Sequence, residues 1–426
     1  MNDESELIKN NQKFKCSFCN SSNLSLIINF ENVALAGAFL KKEDFEHEEK
    51  FPLQVYFCND CYMVQVVNKI SPKKMFVNYF YKSSAIKTLK EHFKNYAREV
   101  SKRFLNPSES KVLEFGCNDG VLLRPLLEEK IKVIIGVDPA KNIISKIDKK
   151  GLNLINEFFN TISAKKIVNK FGKLDLIMAN NVFAHIPDIN DTTQAIKLSL
   201  KKDGVFIFEV HYLGNVLEKF QYDMIYHEHL YYYSLIALEN HFRRFSMIIF
   251  DLKKIPIHGG SIRFYVTNNK SKYALQSKEV VNLRNLELQK NYDRFSTYNL
   301  FSSKIDNTKS ELNKLLSKLK KNGSKIAGYG ASGRANTILQ FCDIDYKILD
   351  FMIDDAPTKI GYFTPGSHLE IFSSEILNQS DRPEYVVIFA WSFLEEIYKK
   401  NMSYLRQGGK FIIPLPEVKI YGLGDL

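Results

Sequence analysis

The sequence predicts an α/β chain in three parts: a small metal-stapled N-terminal domain, then two doubly wound, Rossmann-like units. Three observations predict it. Two pairs of cysteines lie close to the N-terminus, a series of apolar strands alternating with amphipathic helices begins at Lys111, and a second series of the same kind follows Gly323. At 426 residues the chain is too long for one ordinary core. The expected domains are residues 1–72, 73–300 and 301–426.

The first stretch, to about residue 70, reads as short strands and turns that could hardly hold a core without a staple. Cys16-Ser-Phe-Cys19 and Cys58-Asn-Asp-Cys61 place two thiolate pairs on two turns, each able to take one edge of a tetrahedral zinc ion. Four sulfur ligands leave no open coordination position, so the expected zinc is structural. Cys117 and Cys342 stand alone, and in a reducing compartment the paired spacing favours metal over disulfides.

A mixed helical stretch from Pro72 to Lys102 leads into the segments KVLEFGC, KVIIGVD, LDLIMAN and VFIFEV, each followed by helix-like sequence. Parallel strands buried on both faces read as such continuous apolar runs. The first run ends in a turn carrying Gly116 and Gly120, where glycine lets the backbone approach a ligand at the carboxyl edge of the sheet. Asp138, at the end of the next run, is placed to accept hydrogen bonds from both hydroxyls of a ribose. Glu114, Gly116, Asn118, Gly120, Asp138 and Asn180 are the expected cofactor-binding residues. A nicotinamide site would show a similar loop, so these residues alone leave the cofactor open.

Between about Glu279 and Lys321 the sequence turns charged and helical, with no glycine until Gly323. The second series, KIAGYG, ILDFMID, YVVIFAW and KFIIPLP, opens on Gly328-Tyr-Gly-Ala-Ser-Gly333, a dinucleotide-type fingerprint, with Asp350, Asp354 and Asp355 downstream at about the distance of a ribose-binding acid. A working nicotinamide site here would make the chain an oxidoreductase. A phosphate of a substrate, or a vestigial fold, would use the same turn.

Between the two series, Tyr222-Asp-Met-Ile-Tyr226-His227-Glu228-His229 concentrates ionisable and aromatic groups straight after a strand. A histidine can take a proton at neutral pH, a neighbouring glutamate can orient it, and a tyrosine hydroxyl can hold an enolate oxygen. The histidines are two residues apart and do not share a helix face, so this is not the zinc-protease signature. His185, after the run LDLIMAN, is expected to face the site. Tyr79, Ser83 and Ser84 are candidates to contact a sugar or phosphate.

The formal charge is +11, with 45% hydrophobic and 25% charged residues. The lysines are spread along the chain and no nucleic-acid reading motif stands out, so a nucleotide-bearing small ligand is expected and no nucleic acid. No apolar run approaches the roughly 20 residues of a membrane span, and the stretch MNDESELIKNNQ lacks a signal peptide's apolar core, so a cytoplasmic address is expected.

The E-x-G-x-x-x-G turn, the following Asp138 and LDLIMANN together resemble class I methyltransferases. Taken with both CxxC pairs, EFGCNDGVLL, GVDPAKNI, ANNVFAHIPD, YDMIYHEHLYYYSL, HGGSIR, GYGASGRANT and PGSHLEI, the chain resembles end to end the sugar C-methyltransferases of deoxysugar biosynthesis. The resemblance implies S-adenosylmethionine as cofactor, a structural zinc, and a nucleotide-linked 4-keto-deoxysugar as substrate. It implies that His229 is the base removing the proton beside the ketone, with Tyr226 and Glu228 next to it. His185 and Tyr81 would stabilise the enolate, and His258 and Arg263 would contact substrate. Oxygen methylation of a nucleotide sugar is the near alternative, and the exact sugar, nucleotide, carbon and oligomeric state stay open. Two departures stand out: Asn20 and Tyr62 occupy positions where the family has glycine, and a tyrosine in a left-handed turn is strained.

Overall fold

The computed structural model describes residues 14–76, 83–85, 87–257 and 259–426. The N-terminal strands are β1 (Leu24–Ala34), β2 (Lys50–Cys58) and β3 (Val64–Val66). The chain forms two compact units: one comprises Met1–Ser25, Tyr56–Tyr212 and Leu230–Phe295, the other Leu26–Val55, Leu213–His229 and Ser296–Leu426. Neither unit is a single stretch of chain, and the segment Leu213–His229, with the whole Tyr222 to His229 cluster, belongs to the second unit.

The first unit is built on a seven-stranded sheet. Its strands are β4 (Lys111–Phe115), β5 (Val133–Val137), β6 (Asn153–Ile155), β7 (Leu174–Asn180), β8 (Leu200–His211), β10 (Met247–Ile255) and β11 (Ser261–Asn268), while the two-residue β9 (Tyr231–Tyr232) pairs antiparallel with β3. The order is β10-β11-β8-β7-β4-β5-β6. Strands β4 to β8 are parallel, and the β10–β11 hairpin closes one edge antiparallel. Leu176, Ile177, Met178 and Ala179 of β7 are wholly buried, as a strand covered on both faces requires. The strand order reverses at β4, with β5 on one side and β7 on the other, and open α/β sheets bind ligands at the carboxyl end of such a switch point.

The helix Lys87–Phe104 presents Leu89, Phe93, Tyr96, Ala97 and Val100 along one stripe, and these join Val112, Leu176, Met178 and Ile207 in the core on one face of the sheet. The helix Leu235–Arg244 begins at Ser234, whose hydroxyl accepts from the Ala237 N–H. Its other free amides, on Leu235 and Ile236, donate to the buried Glu287 carboxylate at 2.8 and 2.9 Å. Burial pushes Glu287 up to about 7, against those amide bonds and the hydroxyl of Tyr212. A fully buried acid is tolerated there because it satisfies donors that a helix start leaves unpaired.

In the second unit β12 (Ile326–Tyr329), β13 (Phe351–Ile353), β14 (Ile371–Phe372), β15 (Tyr385–Ile388), β16 (Lys410–Ile413) and β17 (Lys419–Tyr421) form a six-stranded sheet. The order is β14-β13-β12-β15-β16-β17, parallel except for β17. Ala327, Ile353, Val386, Ile388, Tyr404 and Phe411 fill its core. The glycine-free charged stretch forms the helices Lys278–Gln289 and Phe295–Lys321. Among the described residues no helix is long and apolar enough to cross a membrane.

Candidate active site

The four N-terminal cysteines come together with their sulfur atoms all within 4.8 Å of one another. Cys16 lies 3.5 Å from Cys61, and Cys19 lies 3.5 Å from Cys58. A tetrahedral ion with bonds of about 2.3 Å to sulfur sets the sulfurs about 3.8 Å apart, so the donor set fits zinc. The two turns match: the N–H of Asn20 donates to Cys16 O and that of Tyr62 to Cys58 O, at 3.0 and 2.8 Å. Asn20 has φ 63° and Tyr62 φ 65°, so both turns keep the left-handed residue despite lacking glycine. The amide of buried Gln65 donates to Cys16 Sγ at 3.1 Å, supporting the ligand from behind.

At the end of β4 the backbone turns through Gly116 at φ 67°, Asn118 at 48° and Gly120 at 77°. A side chain at Gly116 would meet Val182 at 2.5 Å, so both conformation and space demand glycine. Asp138 closes the cradle from β5: one carboxylate oxygen accepts the Asn118 N–H and the other the Ala140 N–H, both at 2.8 Å. Burial raises its carboxyl. Beneath the turn, Asn180 donates to one oxygen of Glu114 at 3.1 Å. The other oxygen of Glu114 and the amide oxygen of Asn180 are buried without a hydrogen-bond partner among the described residues. Such acceptors wait for a donor. Burial pushes Glu114 up to about 8.

Ser83 and Ser84 reach the same turn through their backbone: their N–H groups donate to the side chains of Asn118 and Asp119 at 3.1 and 3.2 Å. His185 ends the short turn Phe183–His185 that follows β7, and is half-buried. Tyr79, Tyr81 and His258 lie outside the described residues.

Arg263 sits directly across from Glu209, on β11 and β8, and its guanidinium is 2.7 Å from that carboxylate. The same guanidinium lies 3.4 Å from the centre of the Tyr96 ring and 3.3 Å from Glu99. With 2% of its surface exposed, Arg263 is committed to this buried network rather than presented to a ligand. His92 joins it, its Nε2 at 3.0 and 2.9 Å from the two oxygens of Glu209. Burial pushes Glu209 up, but the His92 bond and the charge of Arg263 together hold it below the usual carboxylate value. The sequence reading passed over His92 and Glu209, although an acid inside the run VFIFEV was a visible signal.

In the second unit the histidine cluster alternates in and out. His227 is buried, its Nε2 on the Pro52 carbonyl at 3.2 Å, and burial lowers its pKa. Tyr226, Glu228 and His229 are half-buried. His229 Nδ1 lies 2.7 Å from the Met224 carbonyl, and since a carbonyl only accepts, Nδ1 carries a proton, which makes Nε2 the basic nitrogen of the neutral ring. The Tyr226 ring packs on this imidazole with 4.0 Å between centroids.

The second glycine turn has its own acid. Asp354, after β13, accepts the Ala356 N–H at 2.8 Å, and its other oxygen is 3.1 Å from Lys359 Nζ, which also donates to Ala331 O of the turn at 2.6 Å. Asp355 takes the Tyr329 and Ser374 hydroxyls, and Asp350 takes Lys320. None of these acids is presented as an open ribose acceptor.

Residues 16–76 match a family described as a zinc binding domain, residues 89–246 a methyltransferase domain, and residues 256–416 the C-methyltransferase C-terminal domain. The chain is 28% identical over 407 residues to the C-methyltransferase NovU of Streptomyces niveus, covering 95% of this chain and 96% of that one. It is 26% identical over 199 residues to a tRNA U34 carboxymethyltransferase of Campylobacter fetus, covering 41% of this chain and 68% of the other. A solved S-adenosylmethionine-dependent methyltransferase of Clostridium acetobutylicum is 19% identical, with a TM-score of 0.33, over 43% of this chain and 93% of that one.

Proposed function

We propose that this chain, which is an S-adenosylmethionine-dependent methyltransferase with a structural zinc site, methylates a carbon beside the ketone of a nucleotide-linked 4-keto-deoxysugar. The observation that carries the reading is the orientation of His229: its Nδ1 donates to the Met224 carbonyl, which makes Nε2 the basic nitrogen of the neutral ring. The matches to a C-methyltransferase C-terminal domain and to a C-methyltransferase over 95% of the chain favour carbon as the acceptor.

The cradle around Gly116 suits S-adenosylmethionine. Asp138 has acceptor capacity for the ribose hydroxyls beyond its two amide bonds, and the buried oxygens of Glu114 and Asn180 offer acceptors to its N–H groups. When bound, the cofactor supplies an electrophilic methyl group. His229 Nε2 takes the proton from the carbon beside the ketone, leaving the electron pair on an enolate. Tyr226 and Glu228 stand next to the base, and His185 and Tyr81 take the role of holding the enolate oxygen. Over one turnover the carbon–hydrogen bond and the donor's sulfur–methyl bond break, a carbon–carbon bond forms, S-adenosylhomocysteine would leave as the thioether, and the proton leaves from His229 to solvent. Zinc takes no part in the chemistry, because four thiolates close its coordination. The reading places the enzyme in the cytoplasm, where nucleotide sugars are made.

Proton exchange tests it. The enzyme is incubated in heavy water with S-adenosylhomocysteine and a thymidine-diphosphate 4-keto-2,6-dideoxyhexose, and deuterium entry beside the ketone is followed by mass spectrometry. Exchange in the native enzyme and its loss by at least about a hundredfold in His229→Asn, with cofactor affinity kept within about twofold, is the expected result. Methylation without any exchange would move the acceptor to oxygen.

A further inference from the structure

The sequence block Gly328 to Thr337 has the form of a nucleotide fingerprint, yet its polar side chains are spent on another part of the same unit. Arg334, in the first turn of the helix Gly333–Phe341, holds both oxygens of Asp223 at 2.8 and 3.0 Å. Asp223 is wholly buried and also accepts the indole N–H of Trp391 at 2.9 Å, and the guanidinium lies over that indole ring, 5.0 Å from its centroid. One turn on, the Thr337 hydroxyl donates to the Ile225 carbonyl at 2.9 Å. The Tyr226 ring lies close over the helix start, where a side chain at Gly333 would meet it at 3.8 Å.

These bonds bracket one atom. Asp223 and Ile225 are the residues on either side of Met224, and the Met224 carbonyl is the acceptor that sets the His229 tautomer. An arginine that binds a carboxylate with two parallel bonds fixes both distance and plane. A base oriented by a backbone carbonyl is only as well placed as that carbonyl.

We propose that Arg334 and Thr337 are positioning residues for the base: the fingerprint helix clamps the turn 222–225, and the clamp holds the Met224 carbonyl where it keeps the proton on Nδ1 of His229 and the lone pair on Nε2. This rests on the reading of His229 as base. It gives the second glycine turn a task that needs no dinucleotide. The tight turn brings the helix start close under Tyr226, and the helix then offers Arg334 and Thr337 at the spacing of one turn.

The test uses the full chain and three variants, Arg334→Met, Thr337→Val and Thr337→Ser, labelled with 15N-histidine. Side-chain nitrogen shifts of His229, assigned by their loss in His229→Asn, report its tautomer. Deuterium entry into the thymidine-diphosphate 4-keto-2,6-dideoxyhexose reports its action. S-adenosylmethionine affinity reports the integrity of the first unit. Thr337→Val is expected to slow exchange about tenfold with the KM for the sugar unchanged, and to mix the two His229 tautomers. Thr337→Ser keeps the hydroxyl and is expected to stay within about twofold of native. Arg334→Met is expected to slow exchange about a hundredfold, and if that variant does not fold, Thr337→Val decides. A single unchanged Nδ1–H tautomer in Thr337→Val overturns the clamp, as does exchange at the native rate in that variant where His229→Asn has lost exchange. Full exchange in His229→Asn would instead overturn the base, and a tautomer shift in Thr337→Val would still report the clamp.

Discussion

The two glycine turns of this chain share a plan and differ in one cation. After β4 the Gly116 N–H donates to Val137 O at 2.8 Å, and after β12 the Gly330 N–H donates to Ile353 O at 2.7 Å. In each unit an aspartate ends the neighbouring strand and one of its oxygens accepts the N–H two residues on, at Ala140 and at Ala356. The second oxygen separates them. That of Asp138 accepts the backbone N–H of Asn118 in the glycine turn, whereas that of Asp354 takes the ammonium of Lys359, which is anchored on the second turn as well. The same backbone therefore makes an open acceptor in one unit and a neutralised ion pair in the other. A glycine fingerprint predicts a turn, and the charge standing beside its acid decides what the turn can hold.

The largest break in this comparison is expected from alanine at the two glycines. Gly116→Ala puts a Cβ into Val182 at a positive φ, and strain of about 2–3 kcal/mol is expected to weaken S-adenosylmethionine binding by about a hundredfold in calorimetric titration. Gly330→Ala, whose Cβ would meet Ala390 at 2.7 Å, is expected to lower the melting temperature while leaving that affinity unchanged. Loss of cofactor binding in Gly330→Ala would mean that the second turn contributes to the cofactor site.

A smaller effect is expected from the acids. Asp138→Asn removes a charged acceptor and is expected to raise the cofactor Kd about tenfold. Asp354→Asn should leave it within about twofold, because Asp354 belongs to the other turn and is paired with Lys359. Equal losses in both would mean that the two turns serve the cofactor alike.

The smallest is a pH effect confined to the first unit. Burial raises Glu114 from 4.5 to about 8, so the folded protein favours its protonated form. Stability from this group is complete below pH 4.5 and is lost as pH rises toward and through 8. The melting temperature of the ligand-free enzyme should fall across that window, and Glu114→Gln should flatten the slope. An identical slope in the variant would show that Glu114 is paired in solution.

Local features were legible because their cause is local. Four cysteines in two pairs need only two short turns to meet, and the thiols do meet. Each apolar run from KVLEF to KFII forms a strand, since a strand covered on both faces has no polar side to hide. Asp138 could be placed from the length of one strand and one helix. The network of Arg263, Glu209, His92 and Tyr96 could not, because it joins residues up to 171 positions apart, and the sequence reading made Arg263 a ligand contact where the fold gives it a carboxylate and a ring.

The sequence by itself determined the two series of parallel strands, the thiolate quartet, the glycine turns with their acids and the density of ionisable groups around His229. Those follow from periodicity and spacing, which act over a few residues. Only the tertiary structure decided that His227 is core and His229 is half-exposed, that Lys359 occupies Asp354, and that Arg334 grips Asp223 from 111 residues away. A charge or a lone pair acquires its role from whatever the fold brings within hydrogen-bond distance, and that distance is not written in the order of the chain.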